Sequence, residues 1–171
     1  MTVIANTTVI SNFSAIGQIT LLYRIHRKIH ISVQVYEEIQ KGLEEGYLFY
    51  TGMENNINPF SESGWIHLTS MSENKEFRLF GRLSSHLGKG ESSCLSIAAH
   101  RNWLFLTDDL DARKQAKLMK IRISGTLGCL VLATEKNICS LEQANGWLYE
   151  MLKQGYHSPV HDLKELLCSI R

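Results

Sequence analysis

Short uninterrupted apolar runs alternate along this chain with stretches whose apolar positions recur three and four residues apart. Runs of the first kind mark strands buried on both faces, and stretches of the second kind mark helices that bury one stripe. Thr2 to Ala5 reads as a first strand, Val9 to Ile16 as a helix closed by Gly17, and Gln18 to Arg27 as a second helical stretch. Ile29 to Ile31 reads as a second strand, and Ser32 carries a side chain able to cap a helix from Val33 to about Leu43, which Gly42 and Gly46 break. Residues 46–64 mix Gly, Asn and Ser with the Pro59 turn and predict a loop or insertion. Trp65 to Leu68 is a brief strand and Glu73 to Leu83 a helix. Gly88 and Gly90 bracket a turn before a helix from Glu91 to about Arg101. Trp103 to Leu106 is the next strand, Asp109 to Met119 a helix, and Ile121 to Ile123 a further strand. Thr126 to about Lys136, Leu141 to Lys153 and Val160 to Ile170 read as closing helices, so that residues 158–171 form a C-terminal helical segment. Strands alternating with helices predict βαβ units, hence a single-domain three-layer α/β/α sandwich over residues 1–171 with a central, mainly parallel sheet.

Composition narrows the function classes. With 171 residues the chain can bury one substantial core. A net charge of +1 excludes a polycation that coats nucleic acid, so any such binding must come from local basic patches. The four cysteines (Cys94, Cys129, Cys139, Cys168) are far apart and form no C-x-x-C pair, which argues against a zinc ribbon or a thioredoxin-like motif. No basic-then-apolar leader and no apolar run of membrane-spanning length is present, so reduced thiols, a cytoplasmic location and no membrane partner are expected.

The chemistry concentrates where strands end. Leu104-Phe-Leu-Thr-Asp-Asp-Leu-Asp-Ala-Arg113 is a buried strand running into Thr107, Asp108, Asp109 and Asp111. In open α/β folds ligands bind in the crevice beyond the carboxyl ends of the strands. Several acids there suit a hard divalent cation held through oxygen. Glu91 opens a helix whose face continues through Cys94, Leu95 and Ala98, so its carboxylate points along the buried side; an ordinary first-turn Glu is the plainer role. Glu38 borders the inner face set by Val35 and Ile39, while Glu37 points outward. Asn6 ends the first strand, either as a helix cap or as a polar group in the crevice. Thr126, in Gly125-Thr-Leu-Gly128, has the same two readings. Clustered carboxylates repel one another unless a cation neutralises them, and such a set suits magnesium or manganese.

Five ordered motifs carry a resemblance that runs nearly end to end: Val3-Ile-Ala-Asn-Thr-Thr-Val-Ile10, Val35-Tyr-Glu-Glu-Ile39, Leu87-Gly-Lys-Gly-Glu91, Leu106-Thr-Asp-Asp-Leu-Asp-Ala-Arg113 and Gly125-Thr-Leu-Gly128. The closing Lys153-Gln-Gly-Tyr156 fits the same group. With these motifs the chain resembles the PIN-domain family, most closely the small prokaryotic proteins related to the VapC toxins of toxin–antitoxin pairs. The resemblance implies an endoribonuclease dependent on magnesium or manganese, with RNA as substrate, a small antitoxin protein as partner, and a homodimer. It carries the family's acidic positions onto Asn6, Glu38, Glu91 and Asp109, with Asp108 as a further candidate ligand and Thr107, Thr126 and Asp111 as supports. The family usually has Asp where this chain has Asn6; the amide keeps one oxygen but removes a charge, which weakens cation binding. A PIN-fold module that binds RNA or a protein without cutting is therefore the alternative. A phosphatase or phosphoacceptor domain would need an aspartate nucleophile after the first strand, where this chain has Asn6, Thr7 and Thr8.

Arg113, Lys117 and Lys120 fall at helical spacing beside the acids, opposite a buried Ala112, Ala116 and Met119 stripe, and are candidate RNA phosphate contacts. Tyr23 to His30 holds a second basic cluster. His26/His30 and His157/His161 have a spacing that binds zinc but no further ligand nearby in sequence, so surface histidines are expected.

Overall fold

The computed structural model describes residues 1–167. Six strands form one wholly parallel sheet: β1 (Val3–Ala5), β2 (Ile29–Ser32), β3 (Ile57–Asn58), β4 (Ile66–Thr69), β5 (Leu104–Leu106) and β6 (Ile123–Ser124), in the order β3-β4-β2-β1-β5-β6. Central β1 pairs with β2 through Ile4 and His30, and with β5 through Val3–Leu104, Ile4–Phe105 and Ala5–Leu106. Every residue of β1 and β5 is buried, as expected of strands covered on both faces.

The helices are α1 (Thr7–Ala15), α2 (Ile19–His26), α3 (Val33–Glu44), α4 (Asn74–Leu83), α5 (Lys89–Arg101), α6 (Leu110–Leu118), α7 (Thr126–Glu135), α8 (Leu141–Lys153) and the short α9 (Lys164–Leu167). One helix group packs α5 against α3 and α4; the other packs α2 and α8 against α7, with α1 against α2. Between them lies a single core of buried apolar side chains that includes Phe13, Ile31, Leu95, Phe105 and Leu130. The order of the strands reverses direction at β1: β2, β4 and β3 succeed one another on one side, β5 and β6 on the other. A crevice therefore opens at the carboxyl ends of β1 and β5, flanked by the chain that follows each of them.

Several expected boundaries shift. Residues 46–64 contain two 3-10 turns, Leu48–Tyr50 and Met53–Asn56, and the two-residue edge strand β3. Gly42 does not break α3; it lies inside the helix, buried, where a Cβ would stand 2.9 Å from the Tyr50 ring. Helix α5 starts at Lys89, which makes Glu91 its third residue rather than its first. The strand expected at Ile121 to Ile123 is displaced to Ile123–Ser124, and Asp109 caps α6 instead of opening it. Of the closing segment, α9 is the helical part within the described residues; its expected continuation to Ile170 and Cys168 lie outside them.

Candidate functional site

Asn6 directly follows β1 and is fully buried. It holds the N-cap position of α1 without capping it. Its backbone N–H donates to the Leu106 carbonyl at 3.0 Å, which ties the ends of β1 and β5 together. The side-chain amide turns into the crevice. Nδ2 donates to Glu91 Oε1 at 3.2 Å and to Thr107 Oγ1 at 2.8 Å, while Oδ1 accepts from the Thr8 hydroxyl at 2.7 Å. An ionised carboxylate only accepts, so the amide must present nitrogen to Glu91 and oxygen to Thr8. Its oxygen is thus already engaged by a hydroxyl.

Three acids on three elements belong to this neighbourhood, and Glu91 among them touches the amide directly. Glu38, on α3, accepts from the Gly90 N–H at 2.8 Å and from the Thr7 hydroxyl. Glu91 is half-buried on the first turn of α5. Its carboxyl lies above the usual range because burial penalises the charged form, with the charges of Glu38 and Asp109 adding to the effect and the Asn6 hydrogen bond opposing it. Asp109 caps α6 through the Ala112 N–H at 2.7 Å, and its own N–H donates to Thr107 Oγ1 at 3.1 Å. Thr107 is fully buried and links Asn6 to Asp109 by accepting from both. The two inner helices are locked beneath the acids: Ser32 caps α3 through Val35 N–H, and Ser93 on α5 donates to the same Ser32 oxygen at 2.7 Å.

The remaining sequence candidates have other geometry. Asp108 turns toward α7, where its carboxylate accepts from the Thr126 N–H at 2.9 Å, the Thr126 hydroxyl at 2.5 Å and the Asn12 amide at 3.1 Å. The Tyr156 hydroxyl stands 3.5 Å away. So many donors make Asp108 the fastening between β5 and the α7 N-terminus. Thr126 is a buried member of that fastening, not part of the Glu38–Glu91–Asp109 group. Asp111 is exposed on the first turn of α6. Arg113 is committed to the Thr107 and Ser124 carbonyls at 2.8 and 3.1 Å, which joins β5 to β6 rather than leaving a free cation. Lys117 is exposed on α6, but Lys120 lies beyond its end in a left-handed conformation (φ 56°), so the expected three-residue stripe does not continue along the helix. His26 and His30 are half-buried instead of superficial: His26 Nε2 lies 3.8 Å from Cys129 Sγ, and His30 Nδ1 lies 2.7 Å from the Thr69 hydroxyl. His157 and His161 are exposed and off any helix.

Sequence reading passed over Thr7, Thr8, Gly90, Asn12 and Tyr156 as partners of the acids. Gly90 had the clearest signal, a second glycine directly before Glu91, and the fold gives the reason: a Cβ there would stand 2.4 Å from Glu38 Oε2. Among the described residues, no three His, Cys, Asp or Glu side chains converge tightly enough to form a ready-made metal cage. Magnesium is nonetheless usually held by one or two carboxylates while keeping several waters and sharing substrate phosphates. An open group of hard oxygen donors, one of them raised first by burial and then by the charges of its neighbours, is of a kind that suits such a cation, and Glu38, Glu91 and Asp109 are that group.

A family model described as a PIN domain matches residues 2–170. No curated protein matches the chain.

Proposed function

The chain belongs to the PIN-domain family, and on that premise we propose that it is a divalent-cation-dependent endoribonuclease of the VapC toxin kind. The observation that carries this reading is the meeting of Glu38, Glu91 and Asp109 at the sheet's carboxyl edge, where the charges of the other two help to raise Glu91. Glu38, Glu91 and Asp109 are proposed to hold magnesium or manganese, and Asn6 to orient Glu91. When bound, the cation neutralises the acids and polarises a phosphoryl oxygen of the scissile phosphodiester. The chain's own groups position the acids: Asn6 donates to Glu91, and Thr107 accepts from both Asn6 and the Asp109 N–H, so Glu91 and Asp109 are held in fixed places. A small antitoxin as restraining partner, a homodimer and a cytoplasmic setting belong to the same proposal.

The test is cleavage of a panel of structured RNAs in magnesium and in manganese by wild type, Asp109→Asn and Asn6→Asp. Asparagine caps helices as well as aspartate does, so Asp109→Asn keeps α6 capped while removing the charge. Cleavage by wild type that is lost in Asp109→Asn is expected. A second reading rests on Asn6, whose amide meets Glu91 through nitrogen and whose oxygen is occupied by Thr8. In that reading the chain is a binding module: wild type stays silent and Asn6→Asp cleaves.

A further inference from the structure

Between α3, α1 and the first 3-10 turn lies a hollow of about 350 Å³, lined by Thr7, Ser11, Glu38, Gly42, Tyr47 and Phe49 among others. It shares Thr7 and Glu38 with the acid group, so an occupant sits directly beside the position proposed for the scissile phosphate. Its wall is aromatic. Tyr47 and Phe49 lie 5.8 Å apart between ring centroids, and Phe49 and Tyr50 lie 4.5 Å apart at a 59° tilt. Tyr47 and Phe49 also line a smaller hollow of about 150 Å³ together with Asn12, Met151 and Gln154. The rings are held out by design of the neighbouring helix. Gly42 gives Tyr50 the room to pack against α3, and Tyr50 is anchored at its tip by the Ser11 hydroxyl. That leaves Tyr47 53% and Phe49 38% exposed at the rim. Lys41 also lines the larger hollow, with a cation only loosely engaged by Glu45 at 3.6 Å.

We propose that this hollow is a stacking subsite for one unpaired nucleobase of the RNA substrate, adjacent to the scissile phosphate, with Tyr47 and Phe49 as the stacking surfaces and Lys41 facing the neighbouring backbone phosphate. The proposal rests on the nuclease reading for the identity of the polymer and adds the place in this chain where one of its unpaired bases is held. Three features of position, charge and exposed ring surface favour a base over an apolar peptide side chain. The hollow is continuous with the carboxylate group through Thr7 and Glu38, its rim pairs aromatic faces with a cation, and those faces are open to stacking. A base in a duplex is already stacked and paired and cannot enter.

The experiment titrates the intact protein into a short single-stranded RNA carrying an aminopurine reporter base. Calcium is present in place of magnesium or manganese, and the RNA is checked to be uncut afterwards. Binding with quenching of the reporter is expected for wild type. Phe49→Ala and Tyr47→Ala, both at exposed positions, should each weaken binding about tenfold and lose the quench, and Phe49→Trp should restore it. The same sequence as a duplex should bind without quenching. Wild-type affinity and undiminished quench in both alanine variants, equal behaviour of the duplex, or no RNA binding while a protein partner is retained on this face would each overturn the subsite. Failure of the nuclease reading looks different: RNA bound with a quenched base in wild type but left uncut in manganese. Cleavage by Phe49→Ala and Tyr47→Ala at the wild-type KM would leave the nuclease standing and remove the subsite.

Discussion

The single atom that decides most at this site is Asn6 Nδ2. It supplies Glu91 with a donor that an aspartate could not, and thereby offsets part of the burial that penalises the Glu91 charge. Asn6→Asp removes that donor and sets a fourth carboxylate against the group. In metal-free buffer the variant should melt lower, by the equivalent of about 2 kcal/mol, the scale of a buried acceptor left unsatisfied beside a like charge. Manganese should then raise its melting temperature more than it raises that of wild type. Identical melting of the two proteins in chelator, with no differential response to manganese, would mean that the amide bond to Glu91 carries no weight. Gly90 makes a second residue-scale case. Alanine is favoured over glycine inside a helix by roughly 1 kcal/mol, yet a Cβ at this position would lie between 2.4 and 2.8 Å from the Glu38 carboxylate. Gly90→Ala is therefore expected to displace Glu38 and break its bond to the Gly90 N–H, a loss that the helix preference for alanine offsets, so RNA cleavage should fall while the melting temperature moves little. Unchanged cleavage would remove Glu38 from the working site. The sequence offered Asp108 and Asp109 because they follow a strand, Glu91 because it stands in the first turn of a helix, and Glu38 because it borders the inner face of α3. Their division into groups was not legible there: neighbouring Asp108 and Asp109 point to different partners, and only the fold decides that one fastens α7 while the other caps α6.

At the scale of elements, α4 and α5 are joined by a buried ion pair that no local pattern announces, since its members lie 25 positions apart. Glu76 is fully buried and meets Arg101 twice, at 2.6 and 3.0 Å, and it also accepts from the Ser72 and Glu73 N–H groups. Burial alone would push its carboxyl up, but these donors hold it down at about 2. Arg101 extends the clamp to the Ser70 carbonyl and stacks over Trp103. Removing one partner leaves a buried charge uncompensated, which costs about 3 kcal/mol even with some relief from the partly exposed Arg101 end. Arg101→Ala should lower the denaturation midpoint accordingly, whereas Glu76→Gln together with Arg101→Met should cost less than the single change. A double variant as unstable as the sum of its parts would show the two side chains acting independently. The elements themselves were read well where apolar runs were fully buried, as in β1 and β5. They were read poorly where two residues sufficed: β3 is a strand only because Ile57 and Asn58 pair with Ile66 and His67 at the sheet edge, and nothing in a Gly-, Asn- and Ser-rich stretch encodes that partner.

For the whole molecule, the buried titratable groups set a pH window from both sides. His26 and His30 are pressed from the ordinary 6.5 to about 4, first by burial and then by nearby cations: Lys136 for His26, and Lys28, His67 and Arg101 for His30. Because the unfolded chain takes up these protons first, stability falls as the pH drops from about 6.5 toward 4. Glu76, held at about 2 against an ordinary 4.5, adds a further loss with the same sign below 4.5. Glu91 runs the other way, since its raised carboxyl is relieved by protonation, and it partly offsets the histidines in the range just above 4.5. On the alkaline side the buried Cys94 and Cys129 thiols are pushed from 9.0 up to about 12 by burial, so the stability of their neutral forms is present below 9 and is lost as the pH rises toward 12. The melting temperature should therefore be flat between about pH 6.5 and 9 and fall on either side, although the net charge of +1 leaves little global repulsion to drive unfolding at neutral pH. His26→Gln keeps a polar side chain beside Cys129 without the titration, and it should shrink the loss between pH 6.5 and 4 while leaving the alkaline limb in place. A wild-type melting temperature that stays level down to pH 4.5 would show that His26 and His30 take up protons without opening the fold, and that the acid limb belongs to Glu76 alone.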